Sequence, residues 1–321
     1  MFARRKLLPI LAASLMAFSA SSFAAYPERP VKIVVPNAPG GPVDVTVRLL
    51  ATELSKKWGQ AVVVENRPGA SGMMTGSVVA SSPADGYVLG TMLAATMTIV
   101  PFAVDKMPFD PLEDLAPVTM LARVPFMFIV AKNSPLKTWH DFIAASKQRD
   151  LTIGSYSIGT SFHLSWEQIA KQAGIKAVYA PSSSPGRTQG DLISGRIDIA
   201  LEALSSAKGL MDGDRVRALA ITSSKRFPTL PDVPTLIESG LEGYSAEPWF
   251  SLMARKGTPD EIVNKIQQDV AEALSTPGMR RQMELLGQEP VGSTPSELAE
   301  TIRTERATMG SLVKSLGIRL Q

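Results

Sequence analysis

Two stretches of this chain assemble backbone amides and hydroxyls in the pattern that holds anions. In the first, Val31-Lys-Ile-Val-Val-Pro36-Asn37-Ala38-Pro39-Gly40-Gly41-Pro-Val-Asp44, a short apolar run meets a glycine turn and then a long amphipathic pattern. Gly40 and Gly41 carry no side chains to hold a ligand off the backbone, and the helix beyond them aims its unpaired N–H groups and positive dipole end at the same spot. In the second, Leu151-Thr-Ile-Gly154-Ser-Tyr-Ser157-Ile-Gly159-Thr160-Ser161-Phe-His163, the same logic recurs half a chain later. No Gly-Lys-Ser/Thr follows Gly41 and the Gly-x-Gly-x-x-Gly spacing is absent, so neither turn is a nucleotide loop. The expected guest is an anion, with a carboxylate favoured.

Around these turns stand further polar candidates, each with a plainer alternative. Asp44 lies in the first helical turn, where it compensates the dipole or orients backbone and water beside a bound anion. Ser157, Thr160 and Ser161 cluster at a helix start that needs one of them as cap. His163 follows within that first turn, where a neutral imidazole is favoured, for packing or for ligand contact. Ser182, Ser183 and Ser184 sit at a strand end, with Arg187 just beyond them able to fork onto a second carboxylate. Glu202 ends another apolar run and either caps the next helix or accepts an amine. Met92 and Met97 follow another strand end with Thr96 and read as core more readily than as cleft, Trp249 near the second crossover reads as a pocket wall or as core, and His140 beside Trp139 reads as structural.

The elements that must position these residues follow from periodicity. Strands are expected at Val31–Pro36, Ala61–Glu65, Tyr87–Met92, Ala116–Leu121, Phe126–Ala131, Thr152–Ser155, Ala177–Ala180, Ile197–Leu201, Arg217–Ile221 and Phe250–Ala254, alternating with helical patterns. That alternation predicts an α/β protein with mostly parallel sheets. On Val43–Trp58, the residues Val43, Val47, Leu50, Leu54 and Trp58 share one face. Phe162, Trp166, Ile169 and Ala173 form the buried stripe of the helix after the second turn. Thr258-Pro259-Asp260-Glu261 reads as cap, proline and acidic first turn of a helix that buries Ile262, Ile266, Val270 and Leu274. Pro295 opens a last helix with Leu298, Ile302, Met309, Leu312 and Leu316 facing inward. One anion-binding turn per lobe places a cleft between them, at the carboxyl ends of the strands. The last helices are expected to fold back on the first lobe. The division is then 25–124 plus 248–321 for one domain and 125–247 for the other, with crossovers near Ala122–Pro125 and Tyr244–Trp249.

Residues 1–24 read as an export leader: Arg4, Arg5 and Lys6, the apolar run Leu7 to Ala20, and Ser22-Phe23-Ala24 before the cleavage point. The double arginine is compatible with the twin-arginine route, but the general secretory route is favoured. Removing the leader brings Lys and Arg from 33 down to parity with the 30 Asp and Glu, so the sequence pI of about 9.0 belongs to the leader. It gives no support for nucleic acid or an anionic membrane as partner. With 0 cysteines there is no disulfide, thiolate nucleophile or lipid-anchored cysteine. A free, monomeric periplasmic protein is expected, with no cofactor and no metal. A hydrolase fares badly without Gly-x-Ser-x-Gly or His-Glu-x-x-His, and Ser161 and His163 are too close along one helix start to face each other. A ligand-sensing receptor feeding a membrane signalling partner would share the same fold and cleft.

The chain resembles the substrate-binding proteins of tripartite tricarboxylate transporters, the Bug receptors, over essentially its whole mature length. The resemblance rests on Tyr26-Pro27…Pro30, Pro36…Pro39-Gly40-Gly41…Asp44, Val64-Glu65-Asn66-Arg67-Pro68-Gly69-Ala70-Ser71-Gly72 and Pro83-Ala84-Asp85-Gly86-Tyr87. It continues through Ala116-Pro117-Val118-Thr119, Leu219-Ala220-Ile221-Thr222-Ser223, Pro228-Thr229-Leu230-Pro231-Asp232-Val233-Pro234-Thr235 and Glu289-Pro290-Val291-Gly292. It implies a two-lobed periplasmic-binding-protein fold of type II that closes on a small carboxylate and delivers it to two integral-membrane permease subunits. It also implies ligand contacts from Asn37, Ala38, Gly40, Gly41 and Asp44 in one lobe and Ser157, Gly159, Thr160, Ser161 and His163 in the other. Three departures bear on specificity. Asn37-Ala38-Pro39 replaces a bulkier Pro-Pro turn, Pro181-Ser182-Ser183-Ser184-Pro185-Gly186 replaces a Pro-Tyr-Lys-Gly-Gly segment, and Glu202 stands where the family usually has aspartate.

Overall fold

The computed structural model describes residues 26–182, 184–244 and 247–320. The leader read over residues 1–24 and Ser183 lie outside the described residues. All ten runs expected as strands are strands, displaced by at most two residues at their ends. From the start run β1 (Val31–Val35), α1 (Pro42–Trp58), β2 (Val62–Asn66), α2 (Met73–Ala80), β3 (Val88–Leu93), α3 (Ala94–Thr98), α4 (Val100–Ala103) and β4 (Leu115–Arg123). Then come β5 (Phe126–Ala131), α5 (Trp139–Ser146), β6 (Leu151–Tyr156), α6 (Ser161–Ala173), β7 (Ala177–Ser182), α7 (Pro185–Ile193), β8 (Ile199–Ala203), α8 (Leu204–Asp212) and β9 (Val216–Ile221). The chain finishes with β10 (Trp249–Arg255), α9 (Asp260–Ser275), α10 (Pro277–Leu285), β11 (Glu289–Pro290) and α11 (Pro295–Ser315).

These strands build two sheets, ordered β11-β4-β10-β3-β1-β2 and β7-β6-β8-β5-β9. The expectation of mostly parallel sheets needs correction. Four ladders are parallel, β1 with β2 and β3, and β6 with β7 and β8; the other five are antiparallel. The reason is connectivity: βαβ crossovers make the parallel pairs, whereas β4, β5, β9 and β10 lie on either side of direct passages between the sheets. In those passages Val124 N–H donates to Pro248 C=O at 2.7 Å, so the outgoing and returning segments are bonded to each other.

Each sheet is covered on both faces. Val31, Ile33 and Val35 of β1 meet Val47, Leu50 and Leu54 of α1 and Val263, Ile266 and Val270 of α9, the period-2 and period-3.6 patterns meshing. The opposite face holds Met92, Met97, Met120, Trp249, Leu298 and Ile302. In the second sheet Phe126, Phe128 and Val130 face Trp139, Phe142 and Trp166, while Met127 and Ile129 point the other way, toward Leu192, Leu204 and Ala207. Each such side chain contributes about 1.5–3 kcal/mol of burial.

Two local expectations are corrected. Thr258 does not cap α9: its hydroxyl donates back to Arg255 C=O, and Pro259 occupies the cap position without a side-chain bond. Leu316 is exposed, because α11 ends at Ser315 and the periodicity stops; Val313 is buried on that face instead, and Gly310 lets the helix close on Phe102.

Candidate functional site

The first turn is organised by Asp44. Its Oδ2 accepts from Gly40 N–H at 2.8 Å and from Arg48 Nε at 2.9 Å, and its Oδ1 accepts from Asn66 Nδ2 at 2.7 Å. The same Asn66 amide also donates to Asn37 C=O, tying the entry of the turn to β2. Burial works to raise the Asp44 pKa, but the bonds from Arg48, Asn66 and Gly40 outweigh it and hold the carboxyl below its ordinary value. Gly40 and Gly41 contribute differently from the simplest expectation: Gly40 N–H is taken by Asp44 and Gly41 N–H reaches Ala38 C=O at 3.4 Å. Gly41 is the N-cap of α1 and supplies no side-chain cap, while Pro42 has no N–H to satisfy. The open donors of this helix start are therefore the amides after Pro42. Asn37 Oδ1 is buried with no hydrogen-bond partner, and Ala38 and Gly40 are exposed at the rim.

The second turn is held from behind by His163. Gly159, at φ +83°, donates its N–H to His163 Nδ1 at 3.3 Å, while His163 Nε2 lies 3.5 Å from Glu167 Oε1 and the ring packs on Tyr179. Burial lowers the imidazole pKa and Glu167 opposes this, the net shift being downward. A neutral ring that accepts at Nδ1 is thus the form that fits. Thr160, the cap of α6, accepts His163 N–H and donates its hydroxyl to Ser157 C=O at 2.8 Å. Among the described residues no hydrogen bond engages the Ser157 and Ser161 hydroxyls, and the α6 amides before His163 have no partner within the helix.

Glu202 sits inside β8, fully buried, and does not cap α8, whose N-cap is Ala203. Its Oε2 accepts from the Tyr156 hydroxyl at 2.9 Å and its Oε1 has no partner. Burial pushes the carboxyl up to about 7, with the Tyr156 bond opposing, and the same burial raises the Tyr156 hydroxyl. Tyr179 completes this wall by donating to Tyr156 C=O at 2.6 Å. Ser184 caps α7 through Arg187 N–H and Ser182 Oγ donates to Ser184 C=O, so these two hydroxyls serve the loop itself. Arg187 is exposed there. Met92, Met97 and Trp249 are core, Thr96 is buried with its hydroxyl on Ser71 C=O, and His140 is exposed.

The strand ends β1, β3, β6 and β8 thus carry the first turn, α3, the second turn and Glu202. Among the described residues no hydrogen bond joins the first turn to the second, and each is built within its own lobe. Between the lobes lies a cavity of about 1260 Å³ bounded by α3, α6, α11 and the two passages. Of the site residues expected from sequence, Ser161 alone among the described residues lines it. Its charged groups are ones that sequence reading missed: Arg123, Glu247 and Glu305, with Lys171 and Glu300 beside them. Glu247 Oε1 accepts Ser224 N–H at 2.8 Å and its Oε2 lies 3.9 Å from Arg123 Nε, while Glu305 Oε2 accepts Trp249 Nε1 at 2.9 Å. Burial pushes both carboxyls up to about 7. Arg123 and Glu247 fall at the two expected crossovers, a positional signal available in the sequence; Glu305 has none, being one of three acids on α11.

Comparison with known proteins bears on this arrangement. Residues 46–318 match the model of the tripartite tricarboxylate transporter family receptor. The protein BugT of Bordetella pertussis is 32% identical over 303 residues, covering 92% of each chain. A protein of R. palustris solved with adipate is 33% identical at a TM-score of 0.76, covering 92% of this chain and 99% of its own. MatC from Rhodopseudomonas palustris, solved with bound malate, is 29% identical at a TM-score of 0.71, covering 90% and 100%. The two mixed sheets form the two-lobed fold of periplasmic binding proteins, and the family consists of binding proteins, not enzymes. The chain belongs to the receptor family of the tripartite tricarboxylate transporters.

Proposed function

We propose that this protein is a periplasmic receptor that captures a small carboxylate between its lobes and presents it to two membrane permease subunits. The observation that carries the reading is the pair of helix starts at strand ends, α1 without any side-chain cap and α6 with its cap spent on a single amide. Such starts offer unpaired N–H groups and a positive dipole end to an anion without needing a lysine or arginine. Adipate and malate in the related R. palustris proteins support a carboxylate. Asn37, Ala38, Gly41, Ser157, Thr160 and Ser161 are the proposed contacts, with Ser182, Ser183 and Ser184 as further candidates. Gly40, Asp44, Gly159 and His163 shape the turns that present them.

Glu202 is proposed to meet a second polar group of the ligand. A carboxyl with a pKa of about 7 is part neutral at physiological pH, so it either donates to a second carboxyl of the ligand or accepts an ammonium. A Kd near 1 μM corresponds to about 8 kcal/mol, within reach of several charge-assisted bonds of about 1.5–3 kcal/mol each. Because ligand meets both lobes only when they close, binding shifts the open–closed population by its differential affinity. Titration calorimetry of the mature protein against mono-, di- and tricarboxylates, aromatic acids and acidic amino acids tests the reading. One-to-one binding of at least one is expected; a silent panel alongside binding of nucleotides or metal ions overturns it.

A further inference from the structure

The segment that follows α11 stays on the first lobe and presses from there on the second turn. Ile318 is buried against Ile99, Ala103 and Val313 of the first lobe and Leu164 of α6 in the other, with Leu320 packed on the same cluster. The segment is fastened to the first lobe through its backbone: Leu320 N–H donates to Ala103 C=O at 2.8 Å and Ile318 N–H to Val313 C=O at 3.1 Å. Its side chains then meet the bare α-carbon of Gly159. A Cβ placed there would lie 2.7 Å from Leu320 Cδ2, closer than real Cβ atoms approach, and 3.2 Å from Ile318 Cγ2, a tight contact. Gly159 therefore has two reasons to be glycine, its φ of +83° and this close approach.

We infer that Ile318 and Leu320 are positioning residues for ligand binding: they wedge the Ser157–Ser161 turn from the first lobe and so fix where the α6 helix start points. This rests on the reading that the second turn holds the ligand. The turn has two supports at Gly159, the His163 ring that takes its N–H and the Leu320 side chain against its α-carbon. The wedge belongs to one lobe and the turn to the other. It is therefore in place only in arrangements of the lobes that keep Gly159 against Leu320, and lobe movement and turn geometry are coupled through it.

Hydrogen–deuterium exchange of the ligand-free protein separates this from a general packing role. In Leu320→Ala, exchange of the amides from 159 to 164 is expected to rise by about tenfold, while residues 37–44 in the first turn keep their wild-type rates. Leu320→Met, which refills the space, is expected to restore the protection. Titration with adipate and malate is run on all three proteins, and affinity is expected to fall in Leu320→Ala and recover in Leu320→Met. Unchanged exchange at 159–164, or an equal rise throughout the protein, overturns the inference. If neither carboxylate binds any of the three while the local exchange pattern appears, the wedge stands and the carboxylate reading fails.

Discussion

The Tyr156 hydroxyl donates to Oε2 of Glu202 at 2.9 Å and leaves Oε1 buried without a partner. A half-satisfied buried carboxyl resists ionisation, and burial raises its pKa from 4.5 to about 7. The folded protein therefore binds this proton more tightly than the unfolded chain. Its stabilising effect is complete below about 4.5 and is lost as pH rises through about 7, at a cost on the order of 3 kcal/mol. Glu247 and Glu305 carry shifts of the same sign. Thermal melts at closely spaced pH values are expected to show stability falling between pH 5 and 8. Glu202→Gln should match wild type at low pH and exceed it at pH 8, and a variant equally or less stable at pH 8 would contradict the assignment.

Asp44 titrates in the opposite sense. Its bonds to Gly40, Arg48 and Asn66 need the carboxylate, and they hold its pKa below 3.8 despite burial. Its contribution is present above the ordinary pKa and disappears as pH falls through the lower folded value. Asp44→Asn sets an NH₂ group against donors and is expected to cost about 1–3 kcal/mol at pH 7, with affinity lost as well because the turn loosens. The difference in melting temperature from wild type should shrink toward pH 3. A constant difference would mean that the charge is not what organises the turn.

His163 gives a third pH signature. Protonating Nδ1 places a donor against Gly159 N–H, and burial independently disfavours the cation. The pKa is lowered, so stability is full above the ordinary value of 6.5 and is lost as pH falls through the folded one. Nitrogen NMR of the imidazole is expected to show the Nε2–H tautomer persisting at pH 6. His163→Leu leaves a buried amide unpaired and should cost about 1–3 kcal/mol. A cationic ring at pH 6 would rule out the accepting role.

How much of this was legible beforehand follows from the range of each interaction. Strand runs and helix stripes such as Val47, Leu50 and Leu54 are local patterns, and all ten expected strands formed. Both turns were visible because glycine, cap and helix lie side by side in the chain. The internal fate of Gly40 N–H was not, since it depends on where Asp44 points once α1 is wound. The Glu202–Tyr156 pair joins two strands, the Arg123–Glu247 pair joins two passages, and Leu320 meets Gly159 across the lobes. No periodicity announces such contacts, because residue type alone does not say which distant groups close on each other. The shortfall in parallel pairing has the same origin: alternation of strands and helices describes βαβ units but not the strands that carry the chain between sheets.

Gly40 and Gly41 are adjacent yet should respond differently to substitution. Gly40 holds φ +83°, a conformation that costs an L-residue about 1–2 kcal/mol, so Gly40→Ala is expected to lower the melting temperature. Gly41 has φ −71° and ψ 160°, which any residue adopts, and an added Cβ would lie 3.5 Å from Ala38 C=O, an ordinary contact. The fold therefore tolerates a side chain at Gly41. A bound anion does not, because that side chain would stand beside the open amides of α1. Gly41→Val is accordingly expected to keep nearly the wild-type melting temperature while carboxylate affinity falls by at least about tenfold. Matched melts and calorimetric titrations decide between the two roles. If Gly41→Val loses stability in proportion to affinity, the glycine only ends a strand; if affinity alone collapses, the bare backbone at Gly41 is the ligand's seat.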